Sequence, residues 1–183
     1  SGAENWYVLA DEGQEGADLN GDLDKNEGVI QRVEPHLGTQ QSLDLSSTGS
    51  FGSVADVFRV AFVIQEVDGL DHNSDGDTND TLVALYDTVL GSIFESGLAI
   101  DANATLPFVG NRLAFASDEA SSGADWNLDG DQADDVLWLM FVETGLSLDL
   151  QLAVTALEES GGLLLFARLE SAGVLVEITK RKR

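Results

Sequence analysis

An internal repeat of about 54 residues constrains this chain more than any other feature, because a fold assembled from copies of one unit must bury each copy against its neighbours. Three acidic segments, residues 18–27, 71–80 and 125–134, start 53 and 54 residues apart. Each is preceded by an apolar segment ending in glutamate: residues 6–12 end in Glu12, 59–66 in Glu66 and 112–119 in Glu119. Each is followed by another apolar segment (28–34, 82–87, 136–143) and then a shorter one (42–45, 97–100, 151–154). A degenerate fourth copy pairs 163–170 with 173–178 across a loop shrunk to 171–173. Its Glu170 persists without an acidic loop, so Glu12, Glu66 and Glu119 need not be loop ligands. Residues 1–179 therefore read as one repeat domain with units of about 5–50, 51–104 and 105–157 and a degenerate unit 158–179, followed by a basic tail, 180–183.

The period of the apolar residues sets the local structure. Leu146, Leu148, Leu150, Leu152 and Val154 alternate with Ser147, Asp149, Gln151, Ala153 and Thr155, the two-residue period of a strand with one buried face. Residues 136–142 are apolar on both faces and predict a strand buried on both sides. Clusters of Gly, Ser, Asn and Asp punctuate the chain, and Pro35 and Pro107 fall between apolar segments. The class is all-β, and only residues 155–160 offer a competing short helix. Writing each unit as a short, a pre-loop and a post-loop strand gives eleven strands, with one missing from the first copy. A C-terminal strand or a neighbouring chain can fill such a gap.

Composition then removes whole classes of function. The 183 residues hold 33 Asp and Glu against 9 Lys and Arg, and Lys180, Arg181, Lys182 and Arg183 supply four of those nine. A formal charge of −24 repels nucleic acid and acidic membrane surfaces. Without cysteine there are no disulfides, thiolate zinc sites or cysteine nucleophiles. The 43% hydrophobic content is too high for a disordered acidic tail, while the longest apolar run, 136–142, is too short for a membrane span, so no membrane insertion is expected. Residues 1–4 do not read as a signal peptide, and a mature secreted chain looks the same.

The acidic loops place oxygen-bearing side chains at relative positions 1, 3, 5, 7 and 10. These are Asp18, Asn20, Asp22, Asp24 and Glu27; Asp71, Asn73, Asp75, Asp77 and Asp80; and Asp125, Asn127, Asp129, Asp131 and Asp134. Alternating positions of a tightly curled loop converge, and glycine at position 6, Gly76 and Gly130, permits the turn. Leu23 occupies that position in the first loop, which predicts a looser and weaker site there. Four carboxylates about 5 Å apart make six repelling pairs worth about 0.8 kcal/mol each even in water, a cost that a divalent cation removes. Oxygen-only ligands with flexible spacing suit Ca²⁺ better than Mg²⁺, zinc or copper, so three Ca²⁺ sites are expected. His72, at position 2, should point outward into solvent.

These loops resemble those of EF-hands, dockerins and thrombospondin type 3 repeats at positions 1, 3 and 5. At position 12, however, Val29, Leu82 and Val136 replace the bidentate glutamate of an EF-hand, and apolar strand follows. A pre-loop strand ending in Glu, an Asp-x-Asn-x-Asp-Gly-Asp loop and a post-loop strand such as residues 80–87 are together similar to the blade repeats of bacterial extracellular β-propellers of the TolB-like kind. The resemblance implies a β-propeller-like fold with calcium loops in its blade hairpins and an extracellular or cell-surface location. A calcium-stabilised β-sandwich accounts for the same pattern.

Catalytic signatures are lacking: there is no nucleophile elbow, phosphate loop or paired-histidine metal motif, and no carboxylate pair stands out among 33 acids. Trp6, Trp126 and Trp138 could form a sugar-stacking platform, but Trp138 reads as core, and Trp126, at position 2 of its loop, should project toward solvent or a partner. The expected function is that of a non-enzymatic, calcium-binding extracellular structural protein serving adhesion, matrix or subunit assembly. The alternative is a calcium-dependent carbohydrate- or protein-binding module. Partners in either case are calcium and, through strand or tail exchange, identical subunits.

Overall fold

A computed structural model describes residues 5–47, 54–56, 58–66 and 70–167. Glu170, residues 173–178 and the basic tail lie outside the described residues. The chain is all-β, and the described residues form four small antiparallel sheets, none closed on itself.

Sheet 1 contains β1 (Trp6–Asp11), β2 (Gly28–Glu34) and β3 (Thr39–Ser47) in that order. Sheet 2 runs β4 (Val54–Asp56), β5 (Arg59–Gln65), β6 (Thr81–Asp87) and β7 (Ser92–Ala99). Sheet 3 repeats this with β8 (Phe108–Val109), β9 (Arg112–Asp118), β10 (Asp135–Phe141) and β11 (Ser147–Ala153). Sheet 4 pairs β12 (Ala156–Ser160) with β13 (Leu163–Ala167). All neighbours in the sheets are sequential, so each sheet is an up-and-down meander.

Three expectations change. Residues 155–160 are not helical: β12 pairs along its whole length with β13, and Leu157 packs into the core beside Phe166, a burial that a helix there would forfeit. The short segments 42–45, 97–100 and 151–154 belong to the ends of β3, β7 and β11, which complete the preceding sheet instead of opening the next. Sheets 2 and 3 therefore have four strands, not three, because β4 and β8 add a first strand too short to leave a periodic signature. Among the described residues, sheet 1 has no counterpart of β4 or β8 on the outer edge of β1.

Among the described residues three apolar cores lie between successive sheets. Tyr7, Leu9, Ile30, Leu43 and Leu45 of sheet 1 meet Val60, Phe62, Leu82 and Tyr86 of sheet 2. The opposite face of sheet 2, with Ala61, Val63, Val83 and Leu85, meets Leu113, Phe115 and Met140 of sheet 3. Ala114, Leu137 and Leu139 on the far face of sheet 3 then meet Leu157, Leu164 and Phe166 of sheet 4. A strand between two cores must be apolar on both faces, and β6 is buried at all seven positions. Burial of each large side chain contributes about 1.5–3 kcal/mol, so these cores carry the stack. No helix among the described residues is long and apolar enough to cross a membrane. The two helices, α1 (Glu12–Glu15) and α2 (Glu119–Ser122), are single turns leading into acidic loops, each capped by an aspartate, Asp11 or Asp118, and closed by a glycine in the left-handed region.

Candidate metal centre

Each acidic loop closes the hairpin between the two strands that the repeat places around it: β1 and β2, β5 and β6, β9 and β10. The ladder continues one step past the strands. The amides of Glu12, Glu66 and Glu119 donate to the carbonyls of Glu27, Asp80 and Asp134 at 3.1, 3.0 and 3.1 Å. The strand-terminal glutamate is thereby held opposite loop position 10 in all three repeats.

Between these anchors the loop backbone is folded by its own side chains. Position 3 accepts from the amide of position 5, position 5 from that of 7, and position 7 from that of 9. In the second loop, Asn73 Oδ1 accepts from Asp75, Asp75 Oδ1 from Asp77, and Asp77 Oδ1 from Asn79, at 3.1, 3.1 and 3.0 Å. The same ladder runs through Asn20, Asp22 and Asp24 and through Asn127, Asp129 and Asp131. Such side-chain turns are the local alternative that Asn and Asp offer to regular structure. Position 1 caps the curl: Asp71 accepts from the amides of Ser74 and Gly76, Asp18 from Gly21 and Leu23, and Asp125 from Asp129 and Gly130. The curl demands a positive φ at position 6, which Gly76 and Gly130 meet at 107° and 104°. Leu23 takes φ 83° at the same place, so the first loop keeps the geometry of the others at the cost of strain in an exposed leucine.

Three acidic groups result, each with carboxylate oxygens within 4.8 Å of one another: Glu12, Asp22, Asp24 and Glu27; Glu66, Asp77 and Asp80; Glu119, Asp131 and Asp134. Loop positions 7 and 10 converge in every copy, and position 5 joins them in the first. The other expected acidic ligands, Asp18, Asp71, Asp75, Asp125 and Asp129, are not in these carboxylate groups, while the three asparagines border them. Asp18, Asp71 and Asp125 hold the curl, Asp75 and Asp129 take part in the turn ladder, and the amides of Asn20, Asn73 and Asn127 donate to Glu27, Asp80 and Asp134 at 3.0, 2.7 and 2.8 Å.

Glu12, Glu66 and Glu119, which lie outside the ligand positions expected from the sequence, form the buried floor of each group, at 0%, 1% and 0% exposure. The signal was their fixed place before every loop; the persistence of Glu170 counted against them, and that residue lies outside the described ones. Glu66 Oε1 accepts from the amides of His72 and Asn73 at 2.5 and 3.2 Å and Oε2 from Asp80 at 3.3 Å. Glu119 repeats this with Trp126, Asn127 and Asp134 at 2.6, 3.2 and 3.4 Å. Glu12 differs. Its Oε1 accepts from the amide of Leu19, but its buried Oε2 has no partner. A buried, charged oxygen left unpaired costs at least about 1–3 kcal/mol.

Crowding shifts the carboxyls apart. Burial first, and then Asp22, push Glu27 up to about 7; burial chiefly pushes Asp80 up to about 6, with Asp75 adding to the rise. Asp22 and Asp75 move down, led by the backbone amides of Asp24 and Asp77 that they accept. Among the described residues the basic side chains engage elsewhere: Arg32 pairs with Glu34, Arg59 with Asp87, Lys25 donates to the carbonyl of Gly16, and Arg112 lies over the Phe141 ring. An oxygen-only donor set holding a buried orphan oxygen fits a hard cation such as Ca²⁺.

Two position-2 side chains depart from expectation. His72 turns onto β7, where Nδ1 lies 3.0 Å from Glu95 Oε2, because the adjacent strand offers a carboxylate. Trp126 does not project outward: it packs edge-on against Trp138 with ring centroids 5.3 Å apart, on the core between sheets 2 and 3. Trp6 is the exposed member of the three tryptophans, at 53%.

No protein-family model matches the chain, and no curated protein matches it.

Proposed function

We propose that this chain is a calcium-binding extracellular structural module, in which ions bound in the three hairpin loops fasten a stack of blade-like sheets used in adhesion, matrix or subunit assembly. The observation that carries the reading is the buried, unpartnered Oε2 of Glu12 within a group of four carboxylates. A hard divalent cation would satisfy that oxygen and relieve the repulsion together. The four-stranded meanders of sheets 2 and 3, with loops in equivalent hairpins, support the β-propeller-like arrangement over a sandwich. An extracellular setting, where calcium is millimolar, is one in which even weak loops of this kind would fill. The carbohydrate-binding alternative is less supported, because Trp126 and Trp138 pack against each other instead of forming a flat platform. Thermal unfolding in EDTA and in millimolar CaCl₂, with native mass spectrometry to count bound ions, tests the reading. A large calcium-dependent rise in Tm with up to three ions bound is expected; equal melting and no bound ion would refute it.

A further inference from the structure

The three glutamates that floor the loops occupy one sequence position but two different states of satisfaction. Both oxygens of Glu66 and of Glu119 accept amide hydrogens from their loops. Glu12 commits only Oε1, to Leu19, and its Oε2, on a side chain with no exposed surface, accepts nothing. The first group also differs in number and reach. It gathers four carboxylates where the others gather three, and position 10 is Glu27, one methylene longer than Asp80 and Asp134. The group borders a cleft of about 470 Å³ lined by Asp11, Asp24, Asn26 and Glu27, which gives a hydrated cation a route to the carboxylates.

We infer that Glu12 is a direct ligand of the ion in the first loop, and that this loop is the tightest of the three sites and fills first. The inference rests on the calcium reading above and reverses the order that Leu23 alone would suggest. At the second and third sites, a cation recruiting the floor glutamate competes with amide donors already in place. At the first it meets a free oxygen and one more negative charge, and calcium affinity rises with the number of charged ligands. The binding step is simple coordination; any proton on the Asp22–Glu27 pair leaves to solvent.

The test is calcium titration of the whole chain by calorimetry, with stepwise occupancy by native mass spectrometry and melting in EDTA, for wild type, E12Q, E66Q and E119Q. Glutamine at position 12 keeps an oxygen for Leu19 and removes the buried charge. E12Q should melt about 2–4 °C higher than wild type in EDTA and lose the tightest binding step, its site weakened about tenfold to a hundredfold. E66Q and E119Q should melt lower in EDTA, because an amide NH₂ would face backbone amides, and should leave the tightest step intact. Wild type that binds calcium in several steps while E12Q retains the tightest overturns this inference and leaves the calcium reading standing. An E12Q chain less stable than wild type in EDTA also overturns it, since Glu12 would then act only as a structural acceptor. No binding by wild type removes both.

Discussion

The first repeat and the two that follow share one pattern and live in different surroundings. Trp6, Val8 and Gln31 in sheet 1 occupy the places of Val60, Phe62 and Ala84 in sheet 2. Trp6 and Val8 are 53% and 38% exposed, whereas Val60 and Phe62 are 5% and 1% exposed. The reason is position: sheet 2 lies between two cores, whereas among the described residues Trp6 and Val8 join none of the three, although Gln31 beside them is 3% exposed. The loops divide along the same line, with an orphan oxygen and a leucine at position 6 in the first and satisfied glutamates and position-6 glycines in the others. Repetition of sequence thus fixes the local fold, while burial and charge balance depend on what lies alongside.

The largest way to break the comparison is to withhold calcium. If three sites each contribute about 1–3 kcal/mol at millimolar calcium, EDTA should cost a large part of a domain's net stability. Calorimetric melting with and without chelator measures this, and a loss of only the first transition would sharpen the distinction between the first repeat and the rest.

Next comes the core. Leu85→Ala in doubly buried β6 should destabilise by about 2–5 kcal/mol, whereas Val8→Ala on the exposed face of β1 should cost under about 1 kcal/mol. Urea unfolding of the two variants would contradict the stacked arrangement if their losses were equal.

A third prediction concerns pH in chelator. Glu27 is raised from 4.5 to about 7 and Asp80 from 3.8 to about 6, so the folded chain binds protons more tightly than the unfolded one. The stability these two groups contribute is fully present below their unfolded values and is lost as pH rises through about 6 to 7. Asp22 and Asp75, which are lowered, act in the opposite sense but only below their usual range. Metal-free protein should therefore lose stability between pH 5 and pH 8, and calcium should flatten the slope. A Tm that rises with pH in EDTA would contradict the crowding.

The smallest effect is at Leu23. Replacement by glycine at φ 83° should stabilise the chain by about 1 kcal/mol by relieving strain, and the matching Gly130→Leu should destabilise it. Unchanged melting in both would mean that the curl is softer than its hydrogen bonds indicate.

Much of this arrangement was legible in the sequence, for reasons that particular residues expose. Two-residue alternation through Leu146–Val154 and the apolar run 136–142 gave β11 and β10, and the acidic spacing put each loop in its hairpin. Strands of two or three residues, such as Phe108–Val109, are too short to carry a period, so the fourth strand of sheets 2 and 3 was hidden. The single-turn helices are set by Asp11 with Gly16 and by Asp118 with Gly123, caps without an apolar stripe between them. The burial of Glu12, Glu66 and Glu119 depends on cross-strand pairing with Glu27, Asp80 and Asp134, which no local pattern encodes.

The turn ladder has one more consequence. Nine side-chain to backbone hydrogen bonds, three per loop, hold the curls in shape through residues already present in the chain. A cation bound there would therefore have little chain to reorganise, and the pace of its capture would be set by how quickly it sheds water.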